Sequence, residues 1–134
     1  MEESNMANKN AKFFMCKHCG NFVKMIKNSG VSMICCGEEM VELIPNTSDG
    51  AHDKHVPVVS VSEGEVSAKI GSAEHPMVDA HYIEWIYLET EKGGQMKMLK
   101  PGDKPEALFT VEDDKPISVY AYCNLHGLWQ TKID

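Results

Sequence analysis

Cys16-Lys17-His18-Cys19 offers two thiols from a tight loop, and Cys35-Cys36 offers two more after 15 intervening residues. Four sulfurs so spaced suit a tetrahedral zinc or iron site. A segment of about thirty residues cannot bury enough apolar surface to fold unaided, so a metal would serve as its core. A purely structural zinc ribbon normally presents a second Cys-x-x-Cys loop. Here an adjacent pair must reach the metal from awkward directions, and zinc and iron both stay open on this pattern. His18, inside the first loop, reads as a solvated residue.

A second set is spread over the rest of the chain: Asp53-Lys54-His55-Val56-Pro57, then His75-Pro76-Met77 with His81 six positions on, then Cys123-Asn124-Leu125-His126-Gly127. A lone histidine is more often a surface or hydrogen-bonded residue than a ligand. Jointly they say more, because Cys123 and His126 form a Cys-x-x-His turn closed by a glycine, a spacing that brings both side chains to one metal. Imidazole with thiolate fits zinc, copper or iron. Four imidazoles and one thiolate exceed the closed tetrahedral zinc site and the ligand count of blue copper. Five donors around an iron that prefers six leave one position for a small oxygen species opposite an electron-rich thiolate, as in thiolate-ligated haem.

The elements that must position these donors differ between the two halves. Residues 13–44 carry four of the five cysteines and little apolar sequence, with short strands expected at Phe22–Ile26 and Val31–Ile34. Pro45-Asn46-Thr47-Ser48-Asp49-Gly50 is dense in turn formers and reads as a linker or surface loop. Two domains are expected, residues 1–45, with a polar N-terminal extension, and residues 46–134. In the second, β-rich runs at Val56–Val61, Val66–Ile70, Tyr82–Leu88, Met96–Leu99, Ala107–Glu112 and Ile117–Tyr122 alternate with Gly-, Pro- and Asp-rich turns. That spacing predicts an antiparallel sandwich or barrel. Along the last run Ile117, Val119 and Ala121 share a face, and the period of two puts Cys123 on the same side.

The net charge of -7 argues against general affinity for nucleic acid. It would also repel a small anionic substrate, in which case a local positive site must reverse the field, and lysines beside the metal ligands are where to look for it. No apolar run approaches the roughly 18 residues of a membrane helix. Met1–Lys12 lacks a secretory core, which makes a cytoplasmic location the expectation. Five cysteines in such a chain are metal ligands or reactive thiols rather than disulfides.

These motifs, in this order and across nearly the whole chain, resemble the desulfoferrodoxin family, the two-domain form of superoxide reductase. The cysteine block resembles the desulforedoxin domain. Lys-His-Val-Pro, His-Pro-Met with its downstream histidine, and Cys-Asn-x-His-Gly-x-Trp resemble the catalytic domain. The resemblance implies an all-β protein, a small desulforedoxin- or rubredoxin-like metal domain followed by an immunoglobulin-like antiparallel β-sandwich. It implies two non-haem irons per chain, one held by Cys16, Cys19, Cys35 and Cys36. The other would be held by His55, His75, His81 and His126 in one plane, with Cys123 axial and Lys54 the cation beside the open position. The implied activity is one-electron reduction of superoxide to hydrogen peroxide without release of dioxygen, a detoxification of oxidative stress. An electron donor such as rubredoxin and a homodimeric state are also implied. The family usually has Glu before the Lys-His pair, where it can close the sixth position of oxidised iron; this chain has the shorter Asp53. His52 has no counterpart in that pattern and reads as surface. Ile83, Trp85, Tyr87 and Trp129 read as sandwich core or site packing rather than as an interface. A non-enzymatic zinc or iron protein, with a structural ribbon and storage or sensing histidines, is the competing reading.

Overall fold

From Glu65 to Ile70 every second side chain is apolar, and in the computed structural model Val66, Ala68 and Ile70 are buried while the residues between them are exposed. This is the period of a strand with one face on a core. The structure describes residues 11–134; the expected polar extension at residues 1–10 lies outside them. The chain divides into two compact units, with the division between Ile44 and Pro45.

In the first unit β1 (Lys12–Met15) is the central strand of an antiparallel sheet, between β2 (Phe22–Met25) and β5 (Val41–Leu43). A separate hairpin joins β3 (Ile34–Cys35) to β4 (Glu38–Glu39). Strands β1 and β5 were not anticipated, since they owe their form to pairing with each other across the unit. The strand expected over Val31–Ile34 reduces to Ile34–Cys35, and Val31 is 75% exposed with no partner strand.

The second unit is a sandwich of two antiparallel sheets. One holds β10 (Glu106–Thr110), β7 (Glu65–Ile70) and β6 (Pro57–Ser62); the other holds β12 (Gly127–Lys132), β11 (Pro116–Cys123), β8 (Ile83–Thr90) and β9 (Gly93–Met98), each in that order. Val66, Ala68, Ile70 and Phe109 from the first pack against Ile86, Leu88, Val119, Ala121 and Cys123 from the second. Cys123 thus lies on the core face with Val119 and Ala121, as the period of two predicts. Ile83, Trp85, Tyr87 and Trp129 are all buried within the chain.

Three local features differ from expectation. The sequence marks the start of β12 only as part of a ligand motif, but four residues after Cys123 the chain returns to pair Gly127 with Cys123 and Trp129 with Ala121. A single helical turn, His52–His55, precedes β6, closed by the Val56 N–H donating to the His52 carbonyl. Pro57 then forces Val56 into extended backbone, which stops the helix. The segment from Pro45 to Gly50 is no free linker: the Asn46 N–H donates to the Leu128 carbonyl, and the Asn46 side chain exchanges two hydrogen bonds with the Gln130 backbone. Among the described residues no helix is long and apolar enough to cross a membrane, and all five cysteines are free thiols.

Candidate metal centres

Successive side chains on a strand point to opposite faces, so two neighbouring cysteines cannot both reach one point from regular β backbone. The chain solves this at Cys36, whose φ of 53° is left-handed, followed by Gly37 at 76°. Cys35 ends β3 and Cys36 swings back, so that all four sulfurs of Cys16, Cys19, Cys35 and Cys36 lie within 4.8 Å of one another. The Cys19 and Cys35 sulfurs are 3.6 Å apart. Metal–sulfur bonds of about 2.3 Å in a tetrahedron imply sulfur spacings of about 3.8 Å, so the group is gathered on the scale that such an ion requires. The Cys19 backbone N–H donates to the Cys16 sulfur, and chiefly for that reason the Cys16 thiol is brought down to about 6. Cys36 is pushed up to about 12 by its bonds to the Cys16 and Cys19 thiols, the behaviour of sulfurs that share protons where a cation would replace them. His18 is exposed and lies 3.0 Å from Glu38, as a solvated loop residue would.

The second centre is assembled from four places. His55 ends the helical turn, His75 and His81 lie in the connection between β7 and β8, Cys123 ends β11, and His126 sits in the turn to β12. The imidazoles occupy the corners of a four-sided array. Neighbouring ring centroids are 4.6 Å apart for His55–His75, 4.7 Å for His75–His81, 5.2 Å for His81–His126 and 4.8 Å for His126–His55. The His55–His81 diagonal is 6.3 Å. Donor atoms of His55, His75, His81 and Cys123 all lie within 4.8 Å of one another. His126 stands outside that strict group, yet its Nδ1 is 3.2 Å from His55 Nε2.

Hydrogen bonds fix which nitrogens face inward. His55 Nδ1 lies 2.7 Å from the Ala51 carbonyl and His75 Nδ1 lies 2.7 Å from the Pro76 carbonyl. A carbonyl only accepts, so both Nδ1 atoms carry the proton and both Nε2 atoms present bare lone pairs. Those lone pairs face each other at 3.1 Å. His81 Nε2 is buried without a hydrogen-bond partner among the described residues. Facing lone pairs and an orphaned buried nitrogen are costly alone and are what a cation at their focus would satisfy. Nitrogens about 2.1 Å from a metal at right angles would be about 3.0 Å apart, matching the observed gap. Burial pushes His75 down to about 4 and also lowers His55 and His81, keeping them neutral as ligands must be. Burial raises the Cys123 thiol, opposed by the backbone N–H groups of Leu125 and His126 that point at its sulfur.

Lys54 and Asp53 are both exposed on the helical turn. The Lys54 charge is near enough to depress His81, and the Asp53 charge acts in the opposite sense on His55. Their turn is docked on the loop after β7: Ser72 Oγ and the Ala73 N–H both donate to the Asp53 carbonyl. Gly71, at φ 85°, makes this approach possible, since a Cβ there would lie 2.7 Å from the Lys54 carbonyl oxygen.

Several supporting residues escaped the sequence reading. Gly50 packs where a Cβ would come within 2.9 Å of His55 Cε1 and 2.8 Å of His126 Cβ. Ser48 Oγ donates to the His126 carbonyl, as does Trp129 Nε1 at 3.0 Å. The Trp129 ring stacks on His55 at 4.9 Å, and exposed His52 makes a T-shaped contact with the same ring at 5.0 Å. The Gly-x-Trp spacing after His126 was the available signal for Trp129; nothing local marks Ser48 or Gly50.

An all-β chain with a four-sulfur centre in a small first unit and a four-imidazole, one-thiolate centre in a sandwich defines a two-centre non-haem metalloprotein. The desulfoferrodoxin family model matches residues 47–132, and the model of the desulfoferrodoxin N-terminal domain matches residues 7–43. The chain belongs to the desulfoferrodoxin family. It is 43% identical to the desulfoferrodoxin of Nitratidesulfovibrio vulgaris over 121 residues, covering 90% of this chain and 95% of that protein. The superoxide reductase of Treponema pallidum superposes with a TM-score of 0.76 at 39% identity, over 92% of this chain and 99% of that one. The one-iron superoxide reductase of Giardia intestinalis matches 61% of this chain and 98% of its own, with a TM-score of 0.53 and 34% identity. The two donor groups are accordingly the chain's sites for non-haem iron, one in each unit.

Proposed function

We propose that this chain is a superoxide reductase, converting superoxide to hydrogen peroxide by adding one electron and two protons, with no dioxygen released. The observation that carries this is the array of four imidazoles and one cysteine sulfur inside the segment matched by the family model. Bound ferrous iron supplies the electron and a coordination position for the oxygen anion. The chain's part is to hold that ion among neutral imidazoles, so that only Cys123 offsets its positive charge while feeding electron density to it. His55, His75, His81, His126 and Cys123 are the proposed ligands. Lys54 supplies the local cation that the acidic chain otherwise lacks, and its Nζ donates hydrogen bonds, directly or through water, to the charge that accumulates on oxygen. The Asp53 carboxylate, one methylene shorter than the family's usual Glu, is proposed as the group that approaches the oxidised site.

The four-cysteine centre in residues 1–45 would relay electrons to the reductase domain in residues 46–134, from a small redox protein such as rubredoxin. The acidic net charge argues against a nucleic-acid partner. A cytoplasmic, homodimeric protein that detoxifies superoxide completes the proposal; the five free thiols favour a reducing compartment.

The test is the iron content and visible spectrum of anaerobically purified protein, before and after a superoxide pulse. About two irons per chain, rapid oxidation of the histidine centre, and peroxide without dioxygen are expected. Colourless zinc protein, or iron indifferent to superoxide, would sink the proposal. Lys54→Ala should keep both irons and slow association roughly 10-fold, with a weaker dependence on ionic strength than the parent. An unchanged rate at low salt would remove Lys54 from the mechanism.

A further inference from the structure

The four imidazoles are held in two different ways. His55 and His75 are oriented through their own ring N–H groups, each bonded to a backbone carbonyl. His126 is held through its carbonyl, which accepts from Ser48 and Trp129. For His81 no ring hydrogen bond is present among the described residues, and its Nε2 is buried without a partner. Its direction must therefore come from its backbone. On one side a short bridge pairs His81 with Val78, each N–H donating to the other's carbonyl at 3.0 and 3.1 Å. On the other side stands Asn124, the residue between Cys123 and Leu125. Its Oδ1 accepts from the Tyr82 N–H at 2.9 Å, its Nδ2 donates to the Ala80 carbonyl at 3.1 Å, and its own N–H donates to the Tyr82 carbonyl at 3.2 Å. The residues before and after His81 are thus both fastened to one side chain.

The β8–β11 ladder explains why an asparagine is needed. Regular pairing ends at Cys123 opposite Ile83, with a shift in register at that step. Beyond it the asparagine amide, using one N–H as donor and its oxygen as acceptor, adds two bonds to the single backbone bond from the Asn124 N–H to the Tyr82 carbonyl. We infer that Asn124 is a positioning residue of the histidine centre: it ties the His81 segment to the Cys123–His126 loop, so that donors from the β7–β8 connection and from the end of β11 are presented to the metal as one unit. The inference rests on the assignment of these side chains as iron ligands.

Asn124→Ala removes both side-chain bonds; Asn124→Asp keeps the size and the acceptor but cannot donate to Ala80. Both are purified with iron and challenged with a chelator, and the four-cysteine centre in the same molecule serves as the internal reference. Loss of such outer-shell support typically costs roughly 10- to 100-fold in metal affinity. Iron should leave the histidine centre of Asn124→Ala faster by that order, with a shifted thiolate–iron absorption band, while the four-cysteine absorption and its release rate stay at the parent's values. Asn124→Asp should show the same band shift, which keeps the test alive if the alanine variant does not fold. Parent-like release and an unmoved band in both variants would overturn the inference. So would a role in folding alone, seen as metal-free variants that melt lower while the loaded centre keeps its spectrum. A parent protein that takes no iron at the histidines would overturn the ligand assignment itself, and this inference with it.

Discussion

In the unit ending at Ile44 only Phe13 and Cys16 are buried among the described residues, while Ile26, Val31, Ile34 and Ile44 are more than half exposed. In the unit beginning at Pro45, His55, His75 and Cys123 are buried beside a core of Ile, Val, Leu and Phe side chains from two sheets. The sulfurs of the first are held by tight loops and by one another; the donors of the second are held by carbonyls, an asparagine and a tryptophan that belong to the sandwich. Metal therefore plays opposite parts. It completes a fold that is too small to bury a core, and it occupies a site that a completed fold already presents, lone pairs facing inward.

The largest effect should come from removing the metal. Structural metal in small domains contributes on the order of 10 kcal/mol, so the cysteine unit should lose its sheet when stripped, while the sandwich keeps its own. Hydrogen exchange read residue by residue would show it: protection at Phe13 and Phe14 vanishes and protection at Tyr120 and Ala121 stays. Protected β1 amides in metal-free protein would erase the contrast.

Within the sandwich, Trp129→Ala should cost about 3–5 kcal/mol in denaturant unfolding, as loss of a fully buried tryptophan does. Trp129→Phe keeps most of the packing but leaves the His126 carbonyl without one of its two donors, for about 1–3 kcal/mol. A result near zero for both would mean that the site is not built on the core. Acid sharpens the same point in metal-free protein. His75 has its folded value near 4, below the unfolded 6.5, so the folded state binds fewer protons between these values. Its contribution is complete above about pH 6.5 and is lost as pH falls toward about 4. Substituting His75→Gln should flatten that part of the stability profile.

The donors were legible because their chemistry is written locally: Cys-x-x-Cys, adjacent cysteines, Cys-x-x-His and His-Pro-Met need no knowledge of the fold. The core face of β11 was legible by its period of two, down to Cys123. What sequence could not show were the residues whose roles come from distant partners. Asn46 binds Gln130 across 84 positions, and Asn124 binds Ala80 across 44. Asparagine, serine and glycine have the same local look in a solvated loop as in one docked on a metal centre, so Pro45–Gly50 reads as a linker or surface loop and its docking stays hidden. Strand β12 was hidden for a related reason: its first residues carry a ligand motif, and only the return of the chain onto β11 makes them a strand.

Gly50 gives the finest division between the two units. Its φ is not in the left-handed region, so alanine meets no backbone objection there, and the cost is purely one of space. A Cβ would sit 2.8 Å from His126 Cβ and 2.9 Å from His55 Cε1, closer than carbon atoms pack. The neighbours are not flexible ends: His55 is bonded to Ala51 and stacked on Trp129, and His126 is held through its carbonyl. Gly50→Ala should therefore destabilise the sandwich by about 1–3 kcal/mol, the usual cost of overpacking. It should also part His55 from His126 and shift the absorption of the histidine centre, with the four-cysteine bands unmoved. Gly20, also in a turn, has nothing within 4 Å of its Cβ position and only its φ of 83° to oppose a side chain. Gly20→Ala should cost about 1 kcal/mol through backbone strain and leave both spectra as they were. If Gly50→Ala behaves like Gly20→Ala, the rings have room to move, and the second centre is no more rigidly presented than the first.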